Sequence, residues 1–285
     1  MKKIFLPFIL VLMIACSNDS QSVVNDTSTS QMSKHFLNNI TIQNHPTSYD
    51  FLEFENNVLY KLSYIDSDNL HYYYEYSYNE DGQLYYMQGK DSQDQLIFER
   101  TIDYDTNGKI IGKNDIYYNL LSNTTSVENV IYIYNDQNNT VTADFTSFDE
   151  LVNDRVYYFG ENGLLLKITE AGNTVQEFNY DGNNIITNNY ASYIYDNETE
   201  VKGEYLNIYK NQFNSYANFV LYNGYMVPTA VNDKYMLEID GEPGLLNDVT
   251  FSYEFDEQGY PIEENRSSVS GNSTHIVITY KETNI

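Results

Sequence analysis

Basic side chains are scarce in this chain of 285 residues: 15 Lys and Arg stand against 41 Asp and Glu, a net charge of −26. A chain of that sign repels phosphate backbones, which excludes nucleic acid as a partner. Attachment to anionic lipid by charge is excluded on the same ground. Cysteine occurs once, as Cys16, so no disulfide can form within the chain, and tryptophan is absent. The four histidines, His35, His45, His71 and His275, are scattered, with no pair four residues apart and no cysteine pair beside them. That spacing gives no zinc or copper pattern. There is no G-x-S-x-G elbow and no glycine-rich phosphate loop. Acidic pairs such as Glu53/Glu55, Asp66/Asp68 and Glu263/Glu264 carry no catalytic information, because 41 acids make such pairs inevitable. The sequence therefore reads as a non-enzymatic protein that needs no cofactor.

The one long apolar run is Ile4 to Ile14, which follows Lys2 and Lys3 and ends at Ala15-Cys16. A bilayer span needs roughly 20 apolar residues, so the run is too short to cross one. A positive start, a short apolar core and a small residue at its end are the marks of an export signal. Leu12-Met13-Ile14-Ala15-Cys16 resembles the lipobox of bacterial lipoproteins, with Met13 where a leucine is usual. The resemblance implies cleavage before Cys16 and a diacylglycerol on its thiol, so the expected partner is a membrane reached through lipid. Residues 1–15 are then the signal peptide, and their loss leaves 13 basic against 41 acidic side chains, a net charge of −28. Residues 16–33 are the lipidated cysteine and a flexible tether of Ser, Asn, Asp, Gln and Thr, too polar to offset the entropy of ordering. Residues 34–285 are expected to form a single β-repeat domain.

That domain is rich in tyrosine, with 30 Tyr and 14 Phe in the whole chain. Tyrosine suits a pleated, half-buried surface, where the ring packs while the hydroxyl stays wet. A pattern of alternating aromatics, Asn or Asp, polar residues, Gly and an apolar pair recurs. Its copies are Tyr76 to Leu84, Ile102 to Ile110, Tyr157 to Leu165 and Tyr253 to Tyr260. Degenerate copies stand at Tyr134-Asn135-Asp136, Tyr180-Asp181-Gly182 and Tyr195-Asp196-Asn197. The Asx and Gly positions supply the turn of a hairpin. The flanks alternate as strands do: Tyr72, Tyr74, Tyr76 and Tyr78 share one face. Val130 to Tyr134 is apolar on both faces, which predicts a strand covered on both sides. The expected fold is an all-β antiparallel meander of repeated hairpins, curved or rolled into a large sheet. The spacing of Phe213, Tyr216, Ala217 and Val220 predicts one short helix near 212–225.

These Tyr-x-Tyr/Phe-Asn/Asp-x-x-Gly-x-Ile/Leu units resemble YD/RHS repeats, from about Phe51 to Tyr280 with a gap between Val201 and Asp248. The whole arrangement is similar to Bacteroidota lipoproteins that carry such repeats behind a lipidated cysteine. The resemblance implies β architecture and an outer-membrane lipoprotein, on a surface or periplasmic face that the sequence does not fix. The expected role is a binding or adhesion module for a glycan or protein ligand on a tyrosine-rich sheet. The alternative is a structural or accessory scaffold of the envelope. One stretch imitates a metal site: Asp103, Asp105 and Asn107 match the opening of a calcium loop. Its twelfth position is Asn114, where a bidentate Glu is required, so the stretch is read as an acidic hairpin turn and no metal is expected.

Overall fold

A computed structural model describes residues 33–55, 58–147, 154–161, 163–182, 184–200, 234–241 and 248–284. The signal peptide, Cys16, the tether up to residue 32 and the helix expected near 212–225 lie outside the described residues. Every described element is a strand or a turn. In order they are β1 (Ser33–His45), β2 (Ser48–Glu55), β3 (Val58–Asp66), β4 (Asn69–Tyr78), β5 (Leu84–Asp91) and β6 (Leu96–Tyr104). Then come β7 (Ile110–Asn119), β8 (Thr124–Asn135), β9 (Thr140–Ser147), β10 (Arg155–Phe159), β11 (Leu165–Glu170) and β12 (Asn173–Asp181). The last are β13 (Asn184–Asn188), β14 (Ala191–Glu200), β15 (Lys234–Gly241), β16 (Val249–Phe255), β17 (Pro261–Ser268) and β18 (Ser273–Asn284).

Each strand pairs antiparallel with the next, and β18 pairs with β1 from Ser33↔Asn284 to Gln43↔His275. The meander is thus a closed barrel of 18 strands, a more definite shape than the curved or rolled sheet expected. Because strand direction alternates, odd strands end and even strands begin at one rim, the far rim. Even strands end and odd strands begin at the other, the near rim, where β1 begins and β18 ends.

The repeat explains the near rim. Asn79, Asp105 and Asp256 each accept two backbone N–H bonds at Oδ1, from the residues two and four further on, at 2.8–3.1 Å. The glycine three residues on, such as Gly108 with φ 79°, takes the left-handed conformation that closes the hairpin. At the far rim Asp91 builds the same turn, with Asp94 at φ 62° in the glycine's place.

A second regularity lies in the tyrosines that end the even strands. Six hydroxyls donate to backbone carbonyls at 2.7–2.9 Å: Tyr78 to Leu59, Tyr104 to Leu84, Tyr134 to Ile110, Tyr180 to Leu165, Tyr253 to Met236 and Tyr280 to Pro261. Every one has the same register. The carbonyl stands two residues before the hairpin's terminal ladder pair and the tyrosine three after it, as in Gly112↔Ile131 with Ile110 and Tyr134. The hydroxyl therefore clasps a carbonyl at the strand end that the ladder has left behind. Composition predicts that tyrosine hydroxyls stay wet, but these six are bonded to the backbone instead. Burial pushes the Tyr104 hydroxyl up to about 12 and raises those of Tyr180 and Tyr280 as well. Tyr104→Phe should lower stability by about 1 kcal/mol in urea unfolding, since it leaves a carbonyl unpaired. Tyr85→Phe, on an exposed side chain, should stay within about 0.5 kcal/mol of the parent.

The inward face forms the core. Val130, Val141, Tyr157 and Ile185 are at most 1% exposed and belong to one cluster that runs from Ile102 to Met236. A second cluster joins Leu37, Ile40, Phe54, Leu59, Ile276 and Ile278 where the first and last strands meet. On β8, Val130, Tyr132 and Tyr134 point inward, but Ile131 and Ile133 are 51% and 55% exposed. That strand is covered on one side only, because among the described residues the barrel is a single wall and nothing lies against the outer face of β8. The outer wall of the first six strands is polar at mid-height. One hydrogen-bonded row reads Asn39, Glu53, Lys61, Glu75, Gln88 and Glu99.

Candidate functional site

The inward wall changes character toward the far rim. There, aromatic rings run from strand to strand: Tyr64 stacks on Tyr72 at 5.0 Å between centroids, Tyr72 meets Tyr74 at 5.7 Å, Tyr74 meets Phe98 at 6.1 Å, and Phe98 meets Tyr117 at 5.1 Å. The even-position tyrosines of β4 share this face, as their spacing predicts. Strand β5 lies between Tyr74 and Phe98 but contributes only Gly89, where a Cβ would fall 2.6 Å from Tyr74 Cε1. The missing side chain lets two rings meet across an intervening strand. At one end of the run Asp50 faces Tyr64 across the β2–β3 ladder, and partial burial raises its carboxyl above the usual range. At the other end Tyr117 remains 44% exposed.

Below the rings lie paired charges. Arg100 Nε and Nη2 grip Asp115 Oδ1 and Oδ2 at 2.5 and 2.6 Å, a fork-to-fork contact across the β6–β7 ladder. Lys113, fully buried, stands 2.8 Å from Asp115 and 3.2 Å from Glu128. The arrangement of an arginine lying over a phenylalanine and pairing with a carboxylate recurs around the wall. Arg100 lies 5.4 Å from the Phe98 ring, Arg155 lies 5.5 Å from Phe145 and pairs with Glu170, and Arg266 lies 5.6 Å from Phe251 and pairs with Glu264. All three sets sit in the half of the barrel nearer the far rim.

Beside Tyr117 a groove of about 530 Å³ opens between β6 and the tip of the β7–β8 hairpin. Outside it, Glu99 is held by two tyrosine hydroxyls, Tyr86 at 2.5 Å and Tyr118. The hairpin tip is apolar, with Leu121 fully exposed.

The calcium-like residues fall at the near rim, away from these groups. Asp105 uses its carboxylate to hold the turn: the N–H of Lys109, then that of Asn107, keeps it below the usual range. Asp103 projects from the outer wall opposite Gly112, and Asn107 is an exposed turn residue. No group of three or more His, Cys, Asp or Glu is placed to hold a metal among the described residues. His71 lies at the rim beside Tyr64, and His275 bonds Asn265 at 2.7 Å. Glu53, Glu263 and Glu264 stand on strands, where each has a tyrosine, histidine or arginine neighbour.

Fold and wall together define a closed antiparallel barrel with apolar clusters on its inner face and an aromatic, charge-paired mouth. No known protein family matches the chain, and no curated protein does. Among solved structures, a porin-like protein from Bacteroides vulgatus aligns over 87% of this chain and 99% of its own, at 14% identity and a TM-score of 0.44. A porin-like protein from Bacteroides uniformis aligns over 86% and 98%, at 8% identity and a TM-score of 0.29. The Photorhabdus luminescens Tc holotoxin pore aligns over 84% of this chain but 12% of its own, at 13% identity and a TM-score of 0.22. At such scores no function passes from them to this chain.

Proposed function

We propose that this protein is an outer-membrane lipoprotein with YD/RHS-like repeats, held by lipid on Cys16, whose barrel stands in water and acts as a non-enzymatic binding module for a glycan or protein ligand. The aromatic run at the far rim carries the reading. Five rings in contact, partly open to solvent and backed by paired charges, offer a large amphipathic surface of the kind that binding loops use. That rim is opposite the end where β1 begins, so a tethered barrel presents it away from the lipid. The outer wall of the first six strands supports a body in water. A membrane-spanning barrel faces lipid with an apolar band and keeps its interior polar. Here the row from Glu53 to Glu99 is polar, and an apolar cluster makes up much of the inner face beside the ion pairs.

A scaffold role is favoured by a different observation, the six tyrosine hydroxyls engaged inside the wall. Protease shaving of intact cells, with an epitope tag after Ile285, separates the two. Loss of the tag is the expected result and places the barrel outside the cell. Protection until the outer membrane is opened supports the scaffold. Cys16→Ala should move the protein wholly to the soluble fraction without detergent. A variant that stays with membranes through a carbonate wash would show that the wall itself, and not the lipid, meets the bilayer.

A further inference from the structure

We infer that Asp50, Tyr64 and Tyr72, side by side on the inner wall at the far rim, form a receptor for an arginine side chain presented by a partner protein. The inference rests on the binding-module reading and narrows it. The three residues come from three successive strands and share one face. The ladders pair Ile42↔Asp50, Asp50↔Tyr64 and Tyr64↔Tyr72, and Ile42 packs against the inner apolar cluster. All three are partly open to solvent. The two rings are stacked, with 20° between their planes. Asp50 makes no hydrogen bond and no ion pair among the described residues, and burial alone raises its carboxyl above the usual range. A partly buried carboxylate without a partner is costly, and a cation that pairs with it removes that cost.

The same wall shows what completes such a set. Arg100 over Phe98 pairs with Asp115, Arg155 over Phe145 pairs with Glu170, and Arg266 over Phe251 pairs with Glu264. Each time a guanidinium lies by an aromatic ring and meets a carboxylate on its own strand or the next. At Asp50 the chain supplies the rings and the carboxylate, but none of its own arginines among the described residues. The lysines of β3 and β5, Lys61 and Lys90, lie over Tyr73, which faces outward between Tyr72 and Tyr74. Asp91 stands opposite Tyr72 on its other side, but its Oδ1 is engaged by the turn, so Asp50 is the acceptor. A guanidinium suits this row better than an ammonium, because its plane stacks on a ring while its fork reaches the acid. A metal ion needs several oxygens, and no three ligating groups converge among the described residues. An anionic ligand meets an unpaired acid and a chain of net charge −26, whereas a basic segment is drawn toward both.

The test is isothermal titration calorimetry of the full-length protein in detergent with the blocked tripeptide acetyl-Gly-Arg-Gly-amide, and with its lysine and citrulline counterparts. The arginine peptide is expected to bind. The lysine peptide, of equal charge, should bind about threefold more weakly or worse, and the neutral citrulline peptide should give no heat. Asp50→Asn, which removes the charge at constant shape, should weaken arginine binding about tenfold or more. Tyr72→Leu, which removes one ring face, should weaken it about threefold to tenfold. Asp136→Asn removes the same charge from an exposed side chain at the near rim and should leave binding unchanged. Because Asp50→Asn alters no packing, its result stands whether or not Tyr72→Leu folds. Arginine binding that survives Asp50→Asn, or that falls equally in Asp136→Asn, overturns the row as the receptor. Lysine or citrulline peptide binding as tightly as arginine overturns the guanidinium as the ligand group. No heat from any peptide overturns the inference as a whole, while retardation of the protein in gels containing a neutral polysaccharide would leave the binding-module reading standing with a glycan ligand.

Discussion

Asp115→Ala is expected to lower the stability of the barrel by about 3–5 kcal/mol, measured as a shift in urea midpoint at constant slope. Asp115 is fully buried and is the common partner of Arg100 and Lys113. Its removal leaves two cations facing each other in the wall, with Glu128 to answer them. The cost is that of uncompensated buried charge, and it exceeds what the ion pair itself contributes. Asp136 provides the contrast. It also pairs with a lysine, Lys109 at 2.8 Å, but its side chain is 84% exposed. Asp136→Ala should change stability by less than about 1 kcal/mol. If the two variants behaved alike, water would have to reach Asp115, and the inward wall would not be dry at that level.

The second large effect concerns neighbouring tyrosines on one strand. Tyr157 is fully buried on the inner face of β10, whereas Tyr158 faces outward with Lys167 Nζ 4.4 Å from its ring centre. Tyr157→Ala should cost about 3–5 kcal/mol through lost burial and the cavity left behind. Tyr158→Ala should cost about 1 kcal/mol or less. Thermal unfolding of the pair measures directly which face of the wall is the core. Equal losses would mean that the outer face is covered too, as the apolar run Val130 to Tyr134 suggests when read as sequence alone.

Much of the architecture was legible because its signals are local. Asn79, Asp105 and Asp256, each followed three residues later by glycine, mark the turns where they occur, and the alternation in β4 put Tyr72, Tyr74, Tyr76 and Tyr78 on the right face. The acidic stretch at Asp103 to Asn107 was also readable as a turn, since Asp105 accepts from its own backbone. The ion-pair network was not legible, for a definite reason. In β7, Ile110 faces inward, yet so do Lys113, Asp115 and Tyr117, because the register shifts at Asp103/Tyr104, immediately beside the turn. A bulge of one residue reverses the parity of everything beyond it, so alternation counted from Ile110 sends the charges to the wrong side. The same shift accompanies the turns after β4, β10 and β16. The clasps were hidden differently: a tyrosine's place in the pattern gives its face but not the carbonyl its hydroxyl will find. The groove beside Tyr117 depends on how far the β7–β8 hairpin stands beside β6, which no single strand's sequence records.

The pairing of β18 with β1 has a consequence for how the protein is made. Asn38 and Thr279, joined across that seam, are 241 positions apart. Contacts between residues so distant form late, because a long loop must first be closed. Until the last hairpin has been made, β1 lies bare along one side and presents an unpaired edge to any extended chain nearby. A nascent barrel is therefore most vulnerable to cross-pairing just before it is finished. A chain cut short after β16 would keep most of its core residues and yet never lose that exposed edge.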